Sequence, residues 1–227
     1  MALYEGTFEK YHRNSGRVPG DSEWPGANAD YNSGKIFGID GEIEFFLTEA
    51  IAAAEEVAGT AQLTSNNHVI EPTVGVTTGW NPYFEMYSQP SLANVTEVLL
   101  WKEYNSELSV KHNAPYRCKI GCADGYTRTF VEAFLMKNGL PIYAENSGYQ
   151  GDTSIDNAKK DRDERLQLFV WGESTILDTD ESAPTVGTLF SKADITASED
   201  EKRCITGYQP RKYYTYDYEQ TLSLIHI

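Results

Sequence analysis

The densest group of ionisable side chains is Asp161-Arg162-Asp163-Glu164-Arg165, and it poses the first chemical question. Two carboxylates could divide acid and base duties in glycoside hydrolysis. That chemistry needs them on opposite sides of a sugar at a set separation, which neighbours in one polar run do not provide. The run reads instead as a solvated face whose acids pair locally with Arg162 or Arg165. The four histidines, His12, His68, His112 and His226, are scattered, with no carboxylate or cysteine at a spacing that would make any of them a base or a metal ligand. Asp178-Thr179-Asp180-Glu181 offers oxygen ligands but lacks the glycine and distal glutamate of a calcium loop, so an ordinary acidic turn is expected. Cys118, Cys122 and Cys204 are odd in number and have no histidine pair nearby, which points to structural thiols or one incidental disulfide. With no phosphate-cradling glycine loop and no nucleophile elbow, the sequence offers no catalytic residue, metal site or cofactor site.

The chemistry that the composition does favour is stacking. The 227 residues include 15 Tyr, 9 Phe and 4 Trp. Tyrosine joins a flat apolar face to a polar handle, which suits sites that are wet at one edge, such as those for sugars; a tyrosine-rich surface and core is the plainer alternative. The aromatics that stand in polar, glycine-bearing loops are Trp24, Tyr31, Trp80 and Tyr83, and with Asn81 they form the expected ligand-binding set. Packing within the loops is the competing reading of Trp24 and of Trp80 with Asn81. Trp101 and Trp171 sit in apolar runs and are expected in the core.

Charge narrows the partners. The net charge of −15 has no basic cluster to offset it, which argues against nucleic acid and against anionic lipid faces and suits a neutral ligand. No apolar run approaches the ~20 residues needed to span a bilayer, and MALYEGTFEKYH has neither the charged nor the apolar region of a secretion signal. Asn94-Val95-Thr96 matches an N-glycosylation acceptor, a match frequent by chance.

The elements that must hold these residues are legible in part. Leu3, Tyr4, Phe8 and Tyr11 have helical spacing from the first residues, so a helix ending near His12 is expected, with a preceding portion of the protein expected as well. Ile43, Phe46, Leu47, Ala50, Ile51, Ala54, Val57 and Ala58 predict a helix over 41–61 capped by Asp40. Its Ala50, Ala54 and Ala58 would admit the first helix as a close antiparallel partner. The stretch between them is rich in Gly, Pro, Ser and Asn and reads as a long loop, functional or disordered. Tyr83, Phe84 and Tyr87 predict a short aromatic turn or helix, and Val95–Tyr104 a strand or short buried segment. Val131, Phe134 and Leu135 predict a short amphipathic helix capped at Asp124 or Thr127 and stopped by Asn138-Gly139 and Pro141. A turn at Gly151-Asp152 and a short solvated helix or loop follow. Arg165–Trp171 alternates with β-formers on both faces and predicts a buried strand. From Gly172 the periodicity is lost, and irregular structure with short strands is expected. The final Leu222-Ser223-Leu224-Ile225-His226-Ile227 breaks from the tyrosine-rich text before it and is expected to be a non-native tail.

Taken in order, ALYEGTFEKYH, IEFFLTEAIAAAEEV, EVLLWKEY, TRTFVEAFLMKNGLPIY, the Tyr149–Asp152 turn, RDERLQLFV and ITGYQPRKYY resemble the SusD/RagB family of outer-membrane nutrient-binding lipoproteins, over nearly residues 1–221. The resemblance implies a mostly α fold with an irregular α+β lobe: tetratricopeptide-like helix pairs beside a loop-rich, ligand-binding lobe. Residues 1–64 would be the helix pair with its long loop, residues 65–221 the mixed lobe, and the whole a partial SusD-like domain. It implies a cell-surface protein of the outer membrane that binds oligosaccharide, partners a SusC-like TonB-dependent transporter and catalyses nothing. Membrane attachment would run only through an N-terminal lipid anchor, whose segment the sequence lacks. The alternatives are a scaffold for protein contact or a non-glycan nutrient, and a glycoside hydrolase fragment.

Overall fold

The computed structural model describes residues 1–21, 23–103, 112–121 and 123–220. Cys122, the end of the Val95–Tyr104 segment and the 222–227 tail lie outside the described residues. The chain divides into two compact units, Met1–Gln62 and Leu63–Ile227. Helix is the main regular structure, and among the described residues strands occur only as isolated bridges without a sheet.

In the first unit, α1 (Ala2–His12) packs on α2 (Ile39–Ala58). Gly6 makes the crossing possible, because a Cβ there would meet Leu47 at 2.9 Å. Arg13 beyond the end of α1 pairs with Asp40 at the start of α2, so the helices are antiparallel. The alanine stripe is not the contact surface: Ala50 is half-buried, and Ala54 and Ala58 are exposed. Length is the reason, since 11 residues of α1 run ~16 Å against ~30 Å for the 20 residues of α2. Gly38 rather than Asp40 caps α2, which leaves Asp40 and Glu42 in the first turn, where carboxylates favour the helix dipole. The long loop orders itself. Asp21 accepts from Gly16 N–H (2.7 Å) and Glu23 N–H (3.0 Å), and Asn32 donates to Gly26 O (2.8 Å) between 3₁₀ turns at Pro25–Asn28 and Asp30–Asn32.

The second unit holds α3 (Pro82–Glu85), α4 (Ala114–Ile120), α5 (Arg128–Glu132), α6 (Ile155–Lys159), α7 (Glu164–Phe169) and a 3₁₀ turn at Asp200–Lys202. Their core joins Trp80, Phe84, Cys118, Leu168, Phe169, Trp171, Tyr214 and Tyr216, with Val131, Leu166 and Val170 as a second cluster.

The run ending at Trp171 is helical rather than a strand. Asp163 caps it by accepting from Arg165 N–H (2.9 Å), and only Val170 is left extended, bridging Pro210. Its alternating pattern misleads because Leu166 enters one cluster while Leu168 and Phe169 enter the other, and a helix buried on several sides has no clean period. α5 stops at Glu132, sooner than the spacing predicts, because the chain then turns to bridge Met136 to Arg162. Thr127 supplies its cap, accepting from Phe130 N–H (3.2 Å). Residues 92–98 form two successive turns, Val95 N–H to Leu92 O (3.0 Å) and Val98 N–H to Val95 O (3.1 Å), and residues 95–103 have no strand partner among the described residues. Leu100 is 92% exposed and Trp101 only half-buried, so this segment is not core.

Arg162 departs furthest from the solvated-face expectation. It is fully buried and donates to the carbonyls of Val131 (2.5 Å), Phe134 (2.7 Å) and Ala158 (3.0 Å), which ties α5 to α6. Asp163 and Arg165 do pair with each other. Asp178 is committed to Lys119 (2.7 Å), Thr185 and Tyr214 (2.6 Å), and Cys204 is a buried free thiol.

Lys159 is also buried, its ammonium donating to Val170 O at 2.6 Å. Burial, then the nearby Arg211 charge, pulls its pKa down to about 8 from the usual 10.5. Between those values the unfolded chain holds a proton that the folded chain has released, so stability rises with pH there. The gain should be on the order of 3 kcal/mol, at about 1.4 kcal/mol per unit. Urea unfolding at pH 7.5 and 9.5 should show about 2 kcal/mol of this rise in the native protein and not in Lys159→Met; equal pH dependence in the two would refute it.

Candidate functional site

The second unit carries an open cleft of about 420 Å³, within the range of ~300–1,000 Å³ usual for ligand sites. Tyr126, Tyr213 and Pro210 supply apolar surface, and His112, Asn113, Arg117 and Asp124 supply polar groups.

Local structure explains how these distant residues meet. Pro115 at the start of α4 has the fixed φ that suits a first helical turn, and Gly121 ends the helix at φ +103°. At that point the chain runs against the Arg203 backbone, which a Cβ on Gly121 would meet at 2.9 Å. Gly125 lies so close to Thr206 that a Cβ would come within 2.1 Å of its hydroxyl. Backbone bonds from Ala123 N–H to Arg203 O (2.7 Å) and from Tyr126 N–H to Tyr208 O (2.9 Å) then hold the Asp124–Tyr126 wall against the chain leading to Tyr213. The opposite anchor is the Cys118 carbonyl, which accepts from both Trp171 Nε1 and Gln209 Nε2 at 2.8 Å. The core therefore sets the position of α4.

Electrostatically the cleft is mild. Arg117 and Asp124 pair across it. Burial lowers the His112 pKa, so the ring is neutral at pH 7; its Nδ1 accepts from Ala114 N–H (3.2 Å), which leaves the proton on Nε2. Burial, with smaller contributions from Cys118 and Tyr213, pushes the Tyr126 phenol up to about 12, so it stays protonated as a hydrogen-bond donor. Such a site offers ring faces, neutral donors and one compensated ion pair, which suits a polyhydroxylated ligand.

An aromatic band continues on either side. Tyr126 leads to Phe130 (4.9 Å) and Phe130 to Phe134 (5.3 Å), where a second hollow of about 290 Å³ opens beside Asp163 and Arg165. Beyond Tyr213, the Lys212 ammonium lies 4.2 Å from the Tyr87 ring centre, and Tyr87 meets Tyr83 edge-on at 5.8 Å.

Of the residues expected from sequence, Trp80 and Asn81 are buried. Trp80 is 5% exposed, packed on Phe84 (4.7 Å) and Tyr216 (5.9 Å). Asn81 is fully buried and caps α3, accepting from Tyr83 N–H (3.0 Å) and Phe84 N–H (3.2 Å) while donating to Asn66 Oδ1 and Val69 O (2.9 Å each). The crevice at the Trp80 edge holds about 110 Å³, below the usual ligand range. These two residues build the turn that presents the half-buried Tyr83. Trp24 and Tyr31 belong to the first unit: Trp24 packs edge-on against Phe37 (5.4 Å), and Tyr31 is 74% exposed. Tyr126 and Tyr213, which wall the cleft, had only the high tyrosine count as a signal in the sequence.

The SusD family model matches residues 96–224, more than half of the chain, and the protein belongs to the SusD family. All the cleft residues fall inside that match. No curated protein and no solved structure matches the chain significantly. SusD-family proteins are nutrient-binding proteins of the cell surface rather than enzymes, and are lipoproteins associated with the outer membrane. Among the described residues no helix is long and apolar enough to cross a membrane.

Proposed function

We propose that the protein captures an oligosaccharide at the cell surface and delivers it to a SusC-like TonB-dependent outer-membrane transporter. The observation that carries this reading is the open cleft lined by Tyr126 and Tyr213 together with His112, Asn113, Arg117 and Asp124. Sugars present apolar C–H faces and a rim of hydroxyls, and the cleft has surfaces for both. Among the described lining residues Asp124 is the one carboxylate, and it is paired with Arg117 rather than facing a second acid as glycoside hydrolysis needs. Tyr83 at the end of the aromatic band extends the proposed surface, and Trp24 and Tyr31 are proposed as ligand contacts in the first unit. Handover to the transporter rests on family membership.

The reading is tested by affinity electrophoresis of the protein through gels containing single polysaccharides. Retardation by at least one glycan is expected. Tyr213→Ala should weaken it roughly tenfold, the loss of ~1.4 kcal/mol of stacking and hydrogen bonding. Tyr213 is 48% exposed, so the variant should fold. Migration unaffected by every polysaccharide would count decisively against glycan capture. The alternative of a protein-contact scaffold draws support from α2, where Ile51 and Val57 stand exposed.

A further inference from the structure

Lys212 is unlike most basic residues around the cleft. Arg117 is paired with Asp124 and Arg165 with Asp163, and farther off Arg128 is paired with Glu132 and Asp152. Among the described residues Lys212 has no ion pair. Its ammonium is held instead by ring faces, 4.2 Å from the Tyr87 centroid, 5.8 Å from Phe169 and 6.0 Å from Tyr213. Three rings gathered around one cation fix its position without neutralising it, since a quadrupole attracts the charge and leaves it net positive. Three described carboxylates around the band are already engaged: Asp124 and Asp163 with the arginines above, and Glu97 by Thr64 N–H (2.6 Å). Partial burial holds the Lys212 ammonium below the usual lysine range, so an anion arriving there would meet a charge that has lost part of its water shell.

Building on the proposed glycan cleft, we propose that its ligand is an acidic glycan, with a uronate carboxylate or a sulfate ester read by Lys212 while a sugar ring stacks on Tyr213. The Tyr213 ring belongs to both features: it walls the cleft and lies 6.0 Å from the Lys212 ammonium. A pyranose on that ring would bring a ring substituent within reach of Nζ. The strongly acidic chain as a whole disfavours anions, so a positioned, unneutralised cation beside the cleft is a local reversal. Lysine binds as a compact point charge rather than a planar fork, which accommodates carboxylate and sulfate alike.

The test uses matched pairs that differ only in charge: polygalacturonate against its fully methyl-esterified form, and dextran sulfate against dextran. Dissociation constants are measured by affinity electrophoresis or calorimetry at fixed salt. At least one acidic member should bind tenfold or more tightly than its neutral counterpart. Which pair shows the preference separates the carboxylate source from the sulfate source. Lys212→Gln should abolish the preference by weakening the acidic member at least tenfold relative to its neutral counterpart, while Tyr213→Ala should weaken both members. Equal affinity within both pairs, or a preference that survives Lys212→Gln, overturns the acidic-glycan assignment and leaves glycan capture standing. No binding to any polysaccharide overturns both.

Discussion

Arg211→Met should lower the free energy of unfolding by about 3 kcal/mol, the low end of the cost of breaking a buried ion pair, because the half-buried Glu71 keeps some access to water. Arg211 is fully buried, and its guanidinium meets Glu71 in a fork, Nη1 to Oε1 and Nη2 to Oε2 at 3.0 Å each. Nη2 also donates to the Tyr216 hydroxyl (2.5 Å), and the ring centres of Phe84, Trp171, Tyr216 and Trp80 surround the carbon at 5.0–5.7 Å. Burial opposes the charge, but Tyr216 and Glu71 outweigh it, and the group is held more firmly protonated than usual. Methionine fills part of the volume yet leaves the half-buried Glu71 without its partner. Arg211→Lys keeps a charge and loses the fork, so it should recover only part of the loss. The double variant Arg211→Met with Glu71→Met should be more stable than Arg211→Met alone, because no orphaned charge remains. Urea titration followed by tryptophan fluorescence reads all three, and a loss below ~1 kcal/mol for Arg211→Met would refute the account.

Trp171→Ala should cost a similar amount, ~3–5 kcal/mol. The indole has no exposed surface; it stacks on Phe190 (5.1 Å) and meets Tyr214 edge-on (5.0 Å). Alanine would leave a void between rings that cannot close without moving Arg211. The two contributions of the residue can be separated. Trp171→Phe retains most of the packing and removes the Nε1 donor to Cys118 O, so it should cost about 1–2 kcal/mol, near one buried hydrogen bond plus a smaller void. Equal losses for the Ala and Phe variants would show that packing is not the larger part.

These two residues also show where sequence reasoning succeeds and where it stops. Trp171 stands in the apolar run LQLFVW, and its burial follows from composition alone. Arg211, in GYQPRKYY, looks like any surface arginine, and nothing local marks it as the centre of the core. Arg162 misleads in the same way: its acidic neighbours suggest a solvated run, whereas it closes the carbonyl ends of α5 and α6. Trp80 fails in the opposite direction, since a tryptophan among Gly, Asn and Pro reads as exposed until Phe84 and Tyr216 are brought against it.

The primary structure alone carries the two N-terminal helices, the short helix after Tyr126, the aromatic turn at Tyr83, the irregular final third and membership of the SusD family. Each of these depends on neighbours within a few residues or on the order of segments along the chain, and both are written in the primary structure. Which aromatics line an open cleft depends instead on how distant segments pack. Tyr126 and Tyr213 line one cleft because Gly121 and Gly125 let the chain after α4 lie against residues 203–208, and among the described residues Lys212 has rings rather than carboxylates as its neighbours. Burial and ion pairing are properties of contacts between distant segments. A residue's type and local spacing restrict those contacts without specifying them.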